Sequence, residues 1–477
     1  MYDVAIIGCG ITGSACAYYL SKYCLNIAVI EKYNDVCCGT TRANSAIIHA
    51  GYDPLPGTNC AKFNVRGNEL TKEICKKLDV LCKQIGSLVV AFSEEEKDTL
   101  KELYERGIKN GVPDMEIWDR EKLVSEEPNI SENAVAALYA PTAAIVNPWE
   151  YGLAMAETAV RNGAELMLNT EVTGIEKADG GWRIKTNKND VEAKYVINAA
   201  GVYSDIIHGM VAEKTFTITP NAGEYYLLDK CEGERVKHVI FQCPNKNGKG
   251  VLVSPTVHGN LIVGPNAIDS DRDDTSTKTS SLDFIRETAQ KSVPSIQYRE
   301  NIRNFTGVRA NSDTDDFVIE FAAENFLDLA GIKSPGLSAA PAIAEYAVKL
   351  LGEKGLELTE KWNYTDTRTH LRFKELSDEE KNEVIARNPL YGRVVCRCET
   401  ITEGEIVDAL NSPIKPVSLD GIKRRASTGM GRCQGGFCGP KVLEIIARTN
   451  KIPFENVLQD GEGSYILTGE TKNGGAK

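Results

Sequence analysis

Positive charge is in short supply. The 477 residues carry 55 Lys and Arg against 67 Asp and Glu, a formal net charge of -12, which argues against a general binder of nucleic acid or anionic membrane. Long apolar runs are missing too, and none approaches the roughly 20 residues that a transmembrane helix needs. The stretch VAIIGCGITGSACAYYL is apolar, but no basic segment precedes it and Asp3 stands at its head. It reads as a buried strand running into a helix rather than as a secretory signal. The expected home is the cytoplasm, with membrane association only through a partner. Histidine is scarce, at five, so each can be weighed singly. Internal repeats are absent, and the one low-complexity block is the polar end TGETKNGGAK, expected to be disordered.

What remains is an ordinary globular composition, 42% hydrophobic and 26% charged, in a chain long enough for roughly two to four domains. Cysteine is abundant, at fourteen. Ten lie ahead of residue 244, at places such as Cys9 and Cys16 where a small buried hydrophobe fits, and a cytosolic setting disfavours disulfides. The last four are paired: Cys396-x-Cys398, then Cys433-x4-Cys438. Four thiolates so spaced suit a tetrahedral zinc or an iron–sulfur cluster, and a C-x-C hairpin is the less common zinc pair.

Near the N-terminus, YDVAIIGCGITGSACAYYL is a strand, a glycine turn and a helix start. Gly8, Gly10 and Gly13 form G-x-G-x-x-G: the first for a tight turn, the second for close approach to a pyrophosphate, the third for helix–strand packing. The helix N-terminus, with Ile11 and Thr12, offers amide donors and a positive dipole end. A second strand, NIAVIEK, ends in Glu31 and Lys32, with the carboxylate placed to grip a ribose hydroxyl. An adenine dinucleotide site follows, and the fingerprint leaves NAD and FAD both open.

The next stretch, CCGTTRANSAIIHAGYD, resembles the flavin-binding segment of the D-amino-acid-oxidase-like FAD superfamily. Two further segments match in the family's order: YVINAAGVYSD, residues 195–205, and DLAGIKSPGLSAAPAIAEYAVKLL from Asp328. The resemblance implies FAD contacts from Thr40, Thr41, Arg42, Asn44 and Ser45, from Val172, from Ala200 and Gly201, and from Gly336, Leu337 and Ser338. It also implies a mixed α/β chain, with a Rossmann-type FAD-binding domain and an inserted antiparallel-sheet substrate domain. The expected oxidoreductase spans 1–352, with FAD-binding pieces about 1–80, 145–215 and 300–352. The substrate inserts are about 81–144 and 216–299, the second holding the alternating runs EYYLLD, GVLVSPT and GNLIVGP.

In that superfamily the substrate lies against the flavin, its anion held and its hydroxyl or amine proton accepted. Arg309, in FTGVRANSDT, is the expected anion fork, suited to carboxylate or phosphate. Lys333, in AGIKSPG, is a second cation that serves substrate or flavin. His49, in the flavin segment, is the first choice for the base or for a flavin contact. His258, on a turn of the insert, is expected to reach the same cavity, and one of Tyr225 and Tyr226 faces inward.

The four paired cysteines resemble the bacterioferritin-associated-ferredoxin-like [2Fe–2S] module over about 393–450, in which one pair holds each iron. The implied ligands are Cys396, Cys398, Cys433 and Cys438. Around them, Thr402 and Glu405 form a capping box, and Pro440 opens a helix directly after Cys438. The segment has nine Lys/Arg and six Asp/Glu, 9 − 6 = +3, concentrated in Lys423, Arg424 and Arg425, expected as a solvated helix face. A small helical cluster domain thus follows a helical connector over 353–392, with Ser377 and Glu380 as its capping box, and precedes a C-terminal tail over 451–477.

A flavin takes one hydride, an electron pair, and a [2Fe–2S] cluster carries one electron at a time, so the module implies a dehydrogenase that feeds another redox protein or subunit. The whole chain resembles the catalytic subunit of anaerobic glycerol-3-phosphate dehydrogenases. That resemblance implies oxidation of sn-glycerol 3-phosphate to dihydroxyacetone phosphate, with electrons leaving by the cluster to a partner or quinone. GEYYLLD and His49 also resemble L-2-hydroxyglutarate dehydrogenases, whose substrate is another secondary alcohol bearing an anion. An amine-oxidising member of the superfamily and a non-enzymatic electron-transfer or redox-sensing flavoprotein are the remaining readings.

Overall fold

The computed structural model describes residues 1–244 and 250–469. The chain divides into two compact units, Met1–Glu31 with Val36–Thr367, and Lys32–Asp35 with Arg368–Lys477. Of the polar end expected to be disordered, residues 470–477 lie outside the described residues.

The first unit is built on two large sheets. One has eight strands with a parallel centre: Tyr2–Ile7 lies between Val191–Asn198 and Ile27–Ile30, which is followed by Glu165–Met167. Phe326–Ala330 pairs parallel to the end of Val191–Asn198, so several strand ends carry their loops in one direction. Strands buried on both faces read as unbroken apolar runs, and AIIG and IAVI do so because helices cover them. Helix Ile11–Leu20 packs on Pro148–Arg161 and on Gly336–Glu353.

The second sheet has nine strands and is mainly antiparallel. Its long strand Ile218–Leu228 pairs with Leu261–Gly264 and, along its whole length, with Asn301–Ser312. The runs EYYLLD, GVLVSPT and GNLIVGP are therefore strands, as their alternation predicts. Asn301–Ser312, expected among the FAD-binding pieces, belongs to this sheet, because its partner strand offers eleven residues of register while the parallel sheet offers none. Ser87–Ala91, Glu116–Asp119 and Ala136–Ala140 from the earlier insert complete the sheet's far side.

The second unit is small and mostly helical, with Glu403–Leu410, Leu419–Ala426 and Gly439–Asn450 around an apolar core that includes Ile406, Ile422 and Ile446. Both expected capping boxes form, at Ser377/Glu380 and Thr402/Glu405. The connector region divides between the units, with Arg368 and the helix Asp378–Arg387 in the second. Part of the expected tail is ordered: Val457 is fully buried, and Leu458 bridges to Ser418 and Tyr465. Among the described residues no helix is long and apolar enough to cross a membrane.

Candidate functional site

The nucleotide cradle forms where Tyr2–Ile7 runs into Ile11–Leu20. Gly8 turns the chain at φ +95°, and a Cβ there would come 2.6 Å from the Ala199 carbonyl oxygen. Glycine alone tolerates both. A Cβ on Gly13 would overlap the Gly8 carbonyl, so helix and strand pack through it. Gly10 differs: its Cβ would meet only Thr41 Oγ1, at 3.4 Å. Its bareness serves something outside the chain, as the close approach of a pyrophosphate requires. Glu31, 7% exposed, accepts the Cys9 N–H at 2.8 Å, which ties the acid to the glycine turn.

Several of the other expected flavin residues are tied to this cradle or to one another by hydrogen bonds. Thr41 Oγ1 accepts the Ile11 N–H at 2.9 Å, and Thr40 Oγ1 donates to the Val308 carbonyl at 2.6 Å. Asn44 locks its turn by donating to the carbonyls of Thr40 and Thr41 and accepting from the Ala46 N–H. Ser338 Oγ, buried at the start of helix Gly336–Glu353, accepts the His49 N–H at 2.7 Å, which joins the first flavin segment to the last. Gly201 follows Ala200 with φ +58°, and the Ala200 N–H is held by Asn198 Oδ1 at 3.3 Å. Thr12 is buried in the first helix, Arg42 is half-buried in the short turn with Thr40, and Val172 opens a strand of the same sheet. Lys32 falls in the second unit, its ammonium 4.8 Å from the centre of the Tyr33 ring. These features fit a bound FAD: a bare glycine turn, an anchored acid and a helix N-terminus beside a large cavity.

That cavity, about 1510 Å³, is lined by Ile11, Thr41, Ser45, Leu337, His49, Tyr225, Arg309 and Lys333 among others. Arg309 is held by its own sheet: Nη1 donates to Asn221 Oδ1 at 2.6 Å and to the Ala222 carbonyl at 3.3 Å, and Nη2 to the Asn266 carbonyl at 3.0 Å. The fork is preorganised, so little side-chain entropy is left to lose when an anion arrives. Lys333 lines the same cavity, with Nζ 3.4 Å from the exposed carboxylate of Asp315. His49 stacks on Phe241 at 5.7 Å, and its Nε2 lies 3.3 Å from Ser334 Oγ. Tyr225 is the inward tyrosine, stacked on Phe305 at 4.8 Å with its hydroxyl 3.2 Å from Ser45 Oγ. Tyr226 packs in a different core against Tyr298.

His258 is not among the cavity residues. Its Nε2 lies 3.2 Å from Asn147 Nδ2, at the cap of helix Pro148–Arg161, so the turn that carries it closes on that helix. Asn221 and Asn266 escaped sequence reasoning. Asn221 stands directly across from Arg309 in strand register, and register cannot be read from either strand alone.

In the second unit the four expected ligands come close together as two contacting pairs. Cys398 and Cys433 are exposed, with sulfurs 3.8 Å apart, while Cys396 and Cys438 are buried and hydrogen-bond one another. Among the described residues no three His, Cys, Asp or Glu side chains converge tightly enough to hold a single ion. The donor chemistry still fits a cluster of two irons. Cys438 caps helix Gly439–Asn450, whose positive end favours an anionic centre. The bond with Cys438 opposes burial and, helped by the amides of Gly429 and Glu399, holds Cys396 at about 6. The Phe437 amide, likewise against burial, favours the Cys433 thiolate. Of the other ten cysteines, six are buried as small hydrophobes and Cys24 and Cys231 are exposed.

The basic run departs from expectation. Arg424 and Arg425 are buried, not solvated. Both reach Asp35, Arg425 through Nη1 at 2.7 Å and Nη2 at 2.8 Å and Arg424 through Nη2 at 3.0 Å. Helix Leu419–Ala426 is thus buried on both sides, with Ile422 in the apolar core and the two guanidinium groups on the Asp35 carboxylate.

Comparison with known proteins follows the same division. The FAD dependent oxidoreductase family matches residues 3–350, and the BFD-like [2Fe-2S] binding domain matches residues 394–448. A glycerol 3-phosphate dehydrogenase of Caloramator mitchellensis is 51% identical over 477 residues, 99% of each chain. The structure of dithionite-reduced L-α-glycerophosphate oxidase from Mycoplasma pneumoniae with FAD bound is similar at TM-score 0.73 and 34% identity, covering 77% of this chain and 98% of that one. An L-2-hydroxyglutarate dehydrogenase of Escherichia coli (strain K12) is 32% identical over 56% of this chain and 64% of its own. The chain belongs to the FAD-dependent oxidoreductase family, is of the glycerol-3-phosphate dehydrogenase type acting on a CH–OH donor, and carries a C-terminal BFD-like [2Fe–2S]-binding domain.

Proposed function

We propose that the chain oxidises sn-glycerol 3-phosphate to dihydroxyacetone phosphate and passes the electrons through the [2Fe–2S] cluster, one at a time, to a partner protein or quinone. The observation that carries this reading is the convergence of Arg309, Lys333 and His49 on one cavity beside the nucleotide cradle. FAD, when bound, accepts the hydride lost from C2 of the substrate. Arg309 and Lys333 hold the phosphate dianion, and a phosphate draws on two cations where a lone carboxylate is served by one fork. Fixing that end presents the secondary alcohol to His49, whose Nε2 takes the hydroxyl proton as the hydride leaves. Phe241 and Ser334 set the plane and direction of the His49 ring. Tyr225, Phe305 and Ser45 wall the cavity. The full-length similarity to a glycerol 3-phosphate dehydrogenase, cluster domain included, supports the substrate and the electron exit together.

The test is anaerobic bleaching of the flavin in purified, cluster-intact protein, with sn-glycerol 3-phosphate and L-2-hydroxyglutarate added to separate samples. Bleaching by the phosphate, followed by the spectral change of a reduced cluster, is expected. Bleaching by hydroxyglutarate alone would replace the substrate, and an oxidised cluster beside a bleached flavin would remove it from the electron path.

A further inference from the structure

The exposed side of the cluster site has the make-up of a docking surface. Cys396 and Cys438 are 1% and 2% exposed, whereas Cys398 and Cys433 face solvent. A cluster held by the four would therefore show one edge to the outside, and that edge gives the shortest path for an electron leaving the protein. Phe437 sits beside it, 57% exposed, with its amide directed at the Cys433 sulfur. Arg397, between the first two ligands, lies over the Phe437 ring at 5.2 Å, and Lys441 lies at 6.0 Å. Arg432, next to Cys433, is exposed as well. A bare aromatic flanked by cations is the composition of an interface centre, where aromatic residues and arginine are enriched.

Charge identifies the occupant. Several other cations of this unit are matched by carboxylates: Arg424 and Arg425 by Asp35, Arg393 and Arg448 by Glu403, Lys374 by Glu399. Arg397 and Lys441 have the Phe437 ring as their neighbour instead. The whole chain carries -12, whereas the exposed side chains next to this edge, Arg397, Arg432 and Lys441, are cations. At physiological salt, charges beyond about 8 Å are largely screened, and a local patch directs the last stage of an encounter. An acidic carrier is drawn to these cations, while a basic carrier is repelled by them.

We propose that Arg397, Phe437 and Lys441, around the exposed Cys398 and Cys433, form the surface on which an acidic one-electron carrier protein docks to take electrons from the cluster. This rests on the reading that electrons leave by way of the cluster.

The test measures binding of oxidised cytochrome b5, an acidic haem protein, to the oxidised holoprotein, with basic cytochrome c as the comparison. No electron moves in this arm, so it needs neither substrate nor turnover. Cytochrome b5 is expected to bind more tightly than cytochrome c and to weaken about tenfold as salt is raised through the screening range. Lys441→Glu should weaken it about tenfold at low salt and flatten the salt dependence. Phe437→Ala should weaken it with the salt slope kept. Iron content and the visible spectrum check that each variant still holds its cluster. Tighter binding of cytochrome c, or an affinity for cytochrome b5 indifferent to both substitutions, would overturn the docking surface. Failure of substrate bleaching with this binding intact would overturn the substrate reading and leave the surface standing.

Discussion

His208 Nδ1 lies 2.6 Å from Asp328 Oδ2, with both side chains buried, and His208 Nε2 lies 2.8 Å from the Glu213 carbonyl oxygen. Both ring nitrogens meet acceptors, so the imidazolium is the form that satisfies both. Asp328 Oδ1 accepts from Asn198 Nδ2 at 2.7 Å, and Asn198 in turn holds the Ala200 N–H and donates to the Ser204 carbonyl. The ion pair thus underpins the turn at Ala199–Gly201 that touches Gly8.

A pH dependence follows from this pair. Burial alone would lower the His208 value, but the bonds from Asp328 and Glu213, then the charges of Asp328 and Glu320, hold it above the ordinary 6.5. Because the native value is raised, its stabilisation is complete below the unfolded value and is lost as pH rises through the native one. Urea unfolding from pH 5.5 to 8.5 should show stability falling toward the alkaline end. His208→Ala should remove that slope and lower stability at the acid end, by less than the cost of a full buried charge because burial already raises the Asp328 carboxyl and lets it take a proton. Equal slopes in the two proteins would dismiss the pair as the source.

Arg309 is positioned as much by an absence as by its hydrogen bonds. A Cβ on Gly223 would fall on the guanidinium, closer than carbon atoms approach. Gly223→Ala should therefore displace the fork while leaving the sheet folded. The expected result is a KM for sn-glycerol 3-phosphate raised about tenfold, some 1.4 kcal/mol, with the thermal midpoint little changed. Arg309→Ala should raise KM further. Unchanged kinetics in both variants would mean that the substrate anion lies elsewhere.

The cradle was legible because its chemistry is local. G-x-G-x-x-G and Glu31 each sit within one turn or one strand end, whereas the cysteines, two by two in sequence, make contact across the pairs, Cys398 with Cys433 and Cys396 with Cys438. Arg309 is expected from the family resemblance and lies within strand Asn301–Ser312, but Asn221 and Gly223 are not legible, since they meet it only through the register of two strands some ninety residues apart. His258 misled for the same reason: a turn in the insert faces several directions, and helix Pro148–Arg161 claimed it. Arg424 and Arg425 were read as solvated because charge runs usually are, and their partner lies 389 and 390 residues away.

Asp35 makes that distant contact testable. Burial would raise its carboxyl, but the charges and bonds of Arg425, then Arg424, overcome it and hold the value below the ordinary 3.8. A depressed native value means stability that is complete above the unfolded value and lost as pH falls through the native one. Asp35→Asn leaves the buried Arg425 without its counter-charge, while Arg424 keeps Asp460, and should cost about 3–5 kcal/mol at neutral pH. The loss should shrink in acid, as pH falls below the unfolded 3.8 toward the depressed native value and the wild-type pair loses its advantage. Denaturant unfolding at pH 7 and pH 3 measures both, and a cost that does not change with pH would place the effect in packing instead of charge.

The cysteine pairs separate the two redox centres. Cys398→Ser removes a thiolate from the exposed edge while the apolar core around Ile406, Ile422 and Ile446 stays intact. Fold and flavin content should survive, with iron and acid-labile sulfide falling well below the roughly two of each expected per chain. Bleaching of the flavin by substrate should persist, since Arg309, Lys333 and His49 all belong to the first unit. On the proposed electron path, delivery to a one-electron acceptor should slow, because the two electrons taken by the flavin as a hydride then lack their one-electron exit. The assay that decides is iron, sulfide and zinc per chain beside the rate of acceptor reduction. Zinc without sulfide in the unaltered protein would make the second unit a structural metal site, and full acceptor rates in Cys398→Ser would place the electron exit at the flavin.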